Sequence, residues 1–347
     1  MSKFHKLTIQ KIIKETADSV SILFDVPANL KEVFSFKAGQ YITLKANINN
    51  TEVRRAYSIC ASPNSNELKV AVKAVENGVF STFATTVLKN GDSLEVSDPE
   101  GKFVLSPETN KNYIAFAAGS GITPVLSMIK AVLETENTST FTLVYGNKSS
   151  EKTIFKSELD ALLEKHPNNF NLHYIFSQES VSDSRFGRID KGLTNYFVKN
   201  TYKETSFDAA FLCGPEEMIT IVSETLKENN FKENAIHFEL FTASIEENTV
   251  EIEEGKTEIT VLLDDEETTF TMNKTDDILA ASLRNNLDAP YSCQGGVCSS
   301  CLCQITEGKA VMTKNSILTD SEVEEGLILA CQAHPTTPTI TIDFDDV

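Results

Sequence analysis

No apolar run in this 347-residue sequence approaches the roughly 20 residues that a membrane-spanning helix needs. The opening stretch, Met1-Ser-Lys-Phe-His-Lys-Leu-Thr8, lacks a signal-peptide core, so the expectation is a cytoplasmic protein without a membrane partner. Internal repeats and low-complexity tracts are also missing. Basic residues are scarce at one end only. Residues 244–347 hold 21 acidic and 5 basic side chains, a net of −16, whereas residues 1–243 carry a net of −3. Nucleic-acid binding by the C-terminal third is thereby excluded, because a basic face would be needed. The same acidity suits electrostatic steering of a partner with a basic docking face, or simply a solvated surface that keeps the protein soluble. What is present is ordinary for a globular protein: 41% hydrophobic and 23% charged residues. Single cores stop growing near ~250 to 300 residues, so this length implies two or three domains.

Residues 1–107 read as short strands broken by turns, at 19–26, 41–46, 56–60, 67–75 and 93–97. That spacing predicts a small antiparallel β-barrel. From 108 to 242 strands (113–118, 140–145, 172–176, 209–213) alternate with helical stretches, which predicts an α/β doubly wound domain with a parallel sheet. Residues 243–256 are polar and acidic without periodicity and read as an interdomain linker. The last domain, 257–347, opens with a hairpin, 257–263 and 268–272, around Asp264-Asp-Glu-Glu267. A helix follows from about Asp277, with Asp276 as the expected N-cap and Leu279, Leu283 and Leu287 on one face.

Four of the seven cysteines fall within eleven residues, Cys293-Gln-Gly-Gly-Val-Cys298-Ser-Ser-Cys301-Leu-Cys303. The gaps of four, two and then 29 residues to Cys331 match the C-x4-C-x2-C spacing of a plant-type 2Fe-2S cluster with a distant fourth thiolate. A reducing compartment favours metal or redox chemistry over disulfides. Gly295-Gly296 lets the loop bring backbone N–H groups to the sulfurs, where hydrogen bonds tune the potential. A four-cysteine zinc site would more usually show a second C-x2-C pair. Cys303, two residues past Cys301, shares its face on a strand and reads as a core residue. Residues 286–335, with Tyr-Ser-Cys293, Cys298-Ser-Ser-Cys301 and Ala-Cys331-Gln, resemble a plant-type ferredoxin, whose fold is α+β and ubiquitin-like (β-grasp).

Upstream, Arg55-Ala-Tyr57-Ser58 supplies a cation for a flavin phosphate, a phenol to lie against an isoalloxazine and a hydroxyl to reach its N5 edge. Gly78-Val79-Phe80-Ser81-Thr82 leads into a helix whose free N–H groups form a pyrophosphate site. Gly119-Ser-Gly121-Ile-Thr123-Pro124 follows a buried strand and opens a helix. There Thr123 is expected at the N-cap, Pro124 at the first helical position, and Val125, Met128, Ile129 and Val132 form the apolar face. Strand, glycine turn and helix in that order suit a dinucleotide pyrophosphate. The next strand ends at Tyr145-Gly-Asn-Lys148, with no acidic residue for an adenosine ribose. Cys213-Gly214-Pro215 ends a late strand, so Cys213 either approaches a nicotinamide or fills core.

Taken in order, Arg-x-Tyr-Ser, Gly-x-x-Ser, Gly-x-Gly-x-Thr-Pro and Cys-Gly-Pro resemble the ferredoxin-NADP reductase superfamily, and with the C-terminal ferredoxin the whole chain resembles the reductase components of bacterial oxygenases. The resemblance implies an oxidoreductase that takes a hydride from NAD(P)H onto FAD and sends electrons through a 2Fe-2S cluster to an oxygenase. It implies Tyr57 and Ser58 at the flavin, Thr123 and Cys213 at the nicotinamide, and Cys293, Cys298, Cys301 and Cys331 as iron ligands. Some members with this domain order use FAD and others, such as the phthalate dioxygenase reductases, carry FMN; Asp98-Pro-Glu-Gly-Lys-Phe103, similar to a loop of FAD-binding members, favours FAD. Ser177, Arg185 and Arg188 are placed to receive a 2′-phosphate, which favours NADPH, while Gln178, where many NADP-using relatives have arginine, leaves NADH open. An electron-transfer adaptor or redox sensor with a vestigial nucleotide site is the reading of a different class.

Overall fold

A computed structural model of the chain describes residues 3–135, 138–241, 252 and 254–347. It divides into two units. One holds residues 4–53 and 57–241; the other is built mainly from the ferredoxin-like residues after 241. Most of the expected linker, 243–251 and 253, lies outside the described residues.

The first sheet is antiparallel. Its strands are β1 (Phe4–Thr16), β2 (Ser19–Asp25), β3 (Tyr41–Ile48), β4 (Thr51–Ser58), β5 (Leu68–Lys73) and β6 (Ser93–Ser97), in the order β4-β3-β6-β1-β2-β5. The β1 strand, not anticipated, hides Leu7 and Ile9 between exposed neighbours and bends at two register shifts. Strand β4 begins earlier than expected and stops at Ser58, which leaves Ile59-Cys-Ala-Ser62 as a separate segment beyond its end. Helix α1 (Val79–Thr86) follows Gly78, whose backbone carbonyl accepts from the Thr82 N–H.

The second sheet is parallel: β7 (Asn112–Ala118), β8 (Thr140–Asn147), β9 (Phe170–Phe176), β10 (Ser184–Phe186), β11 (Ala209–Cys213) and β12 (Ile236–Glu239), ordered β10-β9-β8-β7-β11-β12. Its helices are α2 (Ile122–Thr135), α3 (Lys156–Lys165), α4 (Lys191–Asn195) and α5 (Glu216–Glu228). Helix α2 starts at Ile122, so Thr123 lies inside it; the Thr123 hydroxyl donates to the Ser120 carbonyl (3.0 Å) and does not cap the helix. Beyond the expected face, Leu126, Ser127, Ala131 and Leu133 are buried too. One core explains this: Val125, Met128 and Ile129 of α2 share a cluster with Ala38, Cys60, Ala71, Phe103 and Leu105 of the barrel.

The ferredoxin unit has a mixed sheet of β13 (Lys256–Leu263), β14 (Glu266–Asn273), β15 (Leu302–Glu307), β17 (Leu327–Leu329) and β19 (Thr339–Asp343), ordered β14-β13-β19-β15-β17, with β13 and β19 parallel. Strands β16 (Ala310–Met312) and β18 (Ala333–Pro335) form a separate pair. The first hairpin closes on Asp264 and Asp265 at φ 55° and 61°, a two-residue turn that matches the twist of its strands. Asp345 accepts from both turn amides at 2.9 Å, and these bonds hold its carboxyl below its ordinary range. Helix α6 (Ile278–Arg284) is capped by Asp277, whose side chain accepts from the Ala280 N–H (2.7 Å); Asp276 instead takes Arg284 (2.6 Å). Leu287 falls beyond this helix, and α7 (Asp320–Glu324) carries a Thr319/Glu322 capping box.

Candidate flavin, nicotinamide and cluster sites

Strand order reverses between β7 and β11, and the crevice at the carboxyl ends of such a pair is where open α/β sheets take ligands. The Gly119-Ser-Gly121 turn and Cys213-Gly214-Pro215 meet there. A Cβ on Gly121 would lie 2.1 Å from the Cys213 carbonyl oxygen, and one on Gly214 would lie 3.1 Å from Ala118 Cβ. The first contact leaves no room for a side chain and the second is tight, so the two glycine motifs pack closely together. Gly119 sits at φ 56° with open space beside it. Cys213 is completely buried, and burial together with Glu239 keeps its thiol well above the ordinary range and protonated. Pro215 immediately precedes α5, while Pro124 is buried within α2.

Glu239, unremarked in the sequence, completes this group. It ends β12 opposite Cys213, and the Ser58 hydroxyl donates to its carboxylate (3.2 Å). Part of the Glu239 side chain still meets solvent, but burial of the carboxyl raises its pKa to about 8 against the lowering effect of Ser58. The carboxyl is therefore neutral near pH 7. No motif marks it in His237-Phe-Glu-Leu-Phe241.

Tyr57 is half-buried at the end of β4, its ring 5.6 Å from that of Phe80 on α1, which joins the two expected flavin segments. Gly78 is required by proximity: a Cβ there would stand 2.2 Å from Ser81 Oγ. The Ser81 hydroxyl accepts from the Val75 N–H (3.2 Å) and donates to the Gly78 carbonyl (3.4 Å), so it braces the turn. Val79 and Thr82 are exposed at the helix start. Arg55 is exposed, with Nη1 donating to the Arg54 carbonyl (2.6 Å). The Asp98–Phe103 loop is pinned by paired bonds between Tyr41 and Glu100 (2.9 and 2.8 Å), and Gly101 turns it at φ 112°.

Of the three residues expected at a 2′-phosphate, Ser177 lies just past β9, its N–H bonded to the Asn147 carbonyl (3.0 Å), and Arg188 is exposed beyond β10. Arg185 is engaged elsewhere. Its guanidinium lies 3.8 Å from the centre of the Tyr196 ring and donates to the Tyr196 hydroxyl.

In the ferredoxin unit the four expected ligands converge. Cys298 Sγ donates to Cys293 Sγ (3.1 Å), the Gly295 N–H does so at 3.3 Å, and Cys331 lies beside both Cys293 and Cys301. The neighbouring Cys298 and Cys331 thiols pull the Cys293 pKa down, and their own are raised in turn. Gln294 and Gly296 curl the loop at φ 54° and 70°; a Cβ on Gly296 would stand 3.1 Å from the Lys314 carbonyl oxygen. Gln332 ties the loop to the Cys331 strand end through the carbonyls of Gln294 (3.2 Å) and Cys331 (2.8 Å). Among the described residues the thiols close on one another, and no group of three is opened around a single-ion position. The Ser292 hydroxyl, buried beside Cys293, has no hydrogen-bond partner among the described residues, as fits a donor for the acceptors of a sulfide-bridged cluster. Cys303 is fully buried in the core, its thiol held protonated by burial, as its strand position implies.

Comparison with known proteins matches residues 6–105 to the oxidoreductase FAD-binding domain, 116–224 to the oxidoreductase NAD-binding domain and 261–336 to the 2Fe-2S iron-sulfur cluster binding domain. The chain is 40% identical to one of the subunits of 1,2-phenylacetyl-CoA epoxidase from Escherichia coli (strain K12), over 99% of each chain. The chain belongs to the FAD- and NAD-binding ferredoxin reductases with a C-terminal 2Fe-2S domain. A second such reductase, the ferredoxin reductase component of 3-ketosteroid-9-alpha-monooxygenase from Rhodococcus rhodochrous, is 32% identical over 97% of this chain and 96% of its own. Phthalate dioxygenase reductase, a solved structure of the same domain order, superposes with a TM-score of 0.64 at 26% identity, covering 98% of both chains. This ferredoxin reductase is an NAD(P)H-dependent oxidoreductase with FAD, NAD(P) and 2Fe-2S domains. Among the described residues it has no helix long and apolar enough to cross a membrane.

Proposed function

We propose that this reductase delivers electrons from NAD(P)H to an oxygenase, and that phenylacetyl-CoA epoxidase is that oxygenase. The observation that carries the proposal is end-to-end similarity to a component of the Escherichia coli epoxidase, with all three domains in register. FAD would take a hydride from the nicotinamide and release electrons one at a time to the 2Fe-2S cluster. The chain's own residues divide the remaining work. Arg55 and the start of α1 would hold the flavin phosphates, and Tyr57 would cover its ring. Ser58, backed by the neutral Glu239, presents a hydroxyl and a proton at the flavin edge. The Gly119–Gly121 turn gives close backbone approach to a pyrophosphate, and buried Cys213 walls the nicotinamide side. Cys293, Cys298, Cys301 and Cys331 would hold the irons, with Gly295 N–H bonding the first sulfur. Ser177 and Arg188 favour NADPH as donor, without Arg185 while Tyr196 holds it.

The acceptor should present a basic docking face to the segment that carries −16. Reconstitution with the epoxidase's catalytic components tests both parts. NADPH-dependent oxygenation of phenylacetyl-CoA is expected, falling as ionic strength rises and the Debye length drops from about 10 Å at 0.1 M to about 3 Å at 1 M. Hydride transfer to the flavin should respond much less. Cytochrome c reduction without oxygenation would refute the epoxidase assignment and leave the reductase intact; equal salt response of both steps would refute the docking face.

A further inference from the structure

The helix that opens at the nucleotide turn also grips the strand end that carries Ser58. Ser127, four residues beyond Thr123 on α2, is fully buried and donates to the Ala61 carbonyl (2.7 Å). Lys130, one turn further on, donates to the Cys60 carbonyl (3.0 Å) and pairs with Glu158 of α3 (2.6 Å). Glu158 also takes Lys69 of β5 (3.4 Å), and the Lys69 ammonium lies 5.0 Å from the centre of the Phe155 ring. The Ser62 hydroxyl donates to Glu134 near the end of α2. Residues 60, 61 and 62, one residue beyond the end of β4, are therefore each held by a different side chain of one helix. Lys69 and Lys130 expose only 12% of their side chains, so these are not the surface ion pairs that contribute little. Burial would push the Glu158 carboxyl up, but Lys130 and Lys69 outweigh it and keep the group below its ordinary range. Below this polar row the same segment packs in the shared core: Cys60 lies with Val125, Met128 and Ile129.

We infer that Ser127 and Lys130 are positioning residues for hydride transfer: they fix the Ser58 strand end, and the flavin edge it carries, against the helix whose first turn holds the nicotinamide nucleotide. The inference rests on the proposed placing of flavin and nucleotide at Ser58 and Gly119–Gly121. Its physical content is distance. Hydride transfer needs near-contact of the reacting atoms, and a misplacement of about 1 Å costs up to about 100-fold. One element spans both partners, so a shift of α2 moves the nucleotide turn and the flavin strand together. Neither Ser127 nor Lys130 contacts the Ser58–Glu239 pair, so their loss should act on rate through geometry alone.

The test uses the full-length holoprotein with Lys130→Met, Lys130→Arg and Ser127→Ala. In stopped flow, Lys130→Met should lower the limiting rate of flavin reduction by about 10-fold or more while the apparent Kd for NADPH changes by less than about 3-fold. Lys130→Arg should restore most of the rate. Hydrogen exchange of a peptide covering residues 59–66 should quicken in Lys130→Met whether or not nucleotide is added, which reads the tie without catalysis. Should Lys130→Met fail to retain flavin, Ser127→Ala removes a single hydroxyl and carries the same expectation at smaller amplitude. Faster exchange with an unchanged limiting rate would overturn the inference and make the row a stability device. A rate loss that Lys130→Arg does not repair would overturn it as well, because the charged tie would not be its cause. If the wild-type holoprotein is reduced by neither NADPH nor NADH, the functional reading fails instead, and the exchange result still reports on the tie.

Discussion

The cluster site and the flavin–nicotinamide site are built in opposite ways. Three of the four cysteines proposed as cluster ligands fall within nine consecutive residues, and the loop's own backbone, through Gly295 N–H and the positive φ of Gln294 and Gly296, shapes the rest. Only Cys331 arrives from a distance, fastened by Gln332. The proposed flavin–nicotinamide site of the other unit has no such local origin. Ser58, Gly121, Cys213 and Glu239 come from four separate segments, and they meet because β7, β11 and β12 lie side by side and Ser58 bonds to the end of β12. A local site depends on its loop; a distributed one depends on the packing of a whole sheet. Damage should therefore be all-or-none in the first and graded in the second.

The sharpest way to break that contrast is Cys298→Ser. It should abolish the 2Fe-2S spectrum and cytochrome c reduction while NAD(P)H-driven ferricyanide reduction through the flavin persists; loss of both activities with flavin content intact would deny that the sites are separable. Next in size is Arg55→Ala. Removing a charge-assisted bond to phosphate is worth about 1.5 to 3 kcal/mol, so flavin should bind roughly 10- to 100-fold more weakly with a normal cluster. Equilibrium dialysis of flavin checks this, and unchanged affinity would assign Arg55 to the solvated strand surface. The smallest effect is expected from Glu239→Gln. With its pKa raised to about 8, Glu239 is neutral at pH 7 and ionises as pH rises through that value, so Gln mimics the low-pH form. Flavin reduction in the wild type should inflect near pH 8, and the variant should be nearly flat across the same window while matching the wild type below it. An inflection retained by the variant would place the titrating group elsewhere.

The same contrast explains what could be read from the sequence. Cysteine spacing could be read because three of the proposed ligands share a loop, and the structure brings Cys293, Cys298, Cys301 and Cys331 together. Alternation of apolar and turn residues was enough for the antiparallel and parallel sheets. It failed for β1, where Lys6, Lys11 and Lys14 mask the buried Leu7 and Ile9, and for the short parallel edge strands β10 and β12. Helix α2 looked amphipathic on its own, and the extra burial at Leu126, Ala131 and Leu133 is visible only once a sheet and a barrel cover it from two sides. Helix starts slipped, by two residues at α2, where Thr123 bonds back to Ser120 inside the helix, and by one at α6, where Asp277 takes the cap because Asp276 is held by Arg284. Glu239 carried no motif at all. Its importance comes from the 3.2 Å bond to a residue 181 positions away, which no local pattern encodes.

Gene shuffling among reductases of this kind has an obvious place to cut near residue 108, between the two domain families matched at 6–105 and 116–224. The shared core forbids it. A barrel severed there would bare Ala38, Cys60, Ala71, Phe103 and Leu105 at once, each at most 7% exposed in the intact fold, and α2 would lose the far wall that buries Met128. A transplanted barrel would also meet a foreign Gly39 contact, where Met128 Cε already stands 2.6 Å from the place of a Cβ. The heritable cassette is thus the pair, barrel with nucleotide domain. Chimaeras joined at residue 108 should precipitate unless Ala38, Phe103 and Leu105 travel with their own α2.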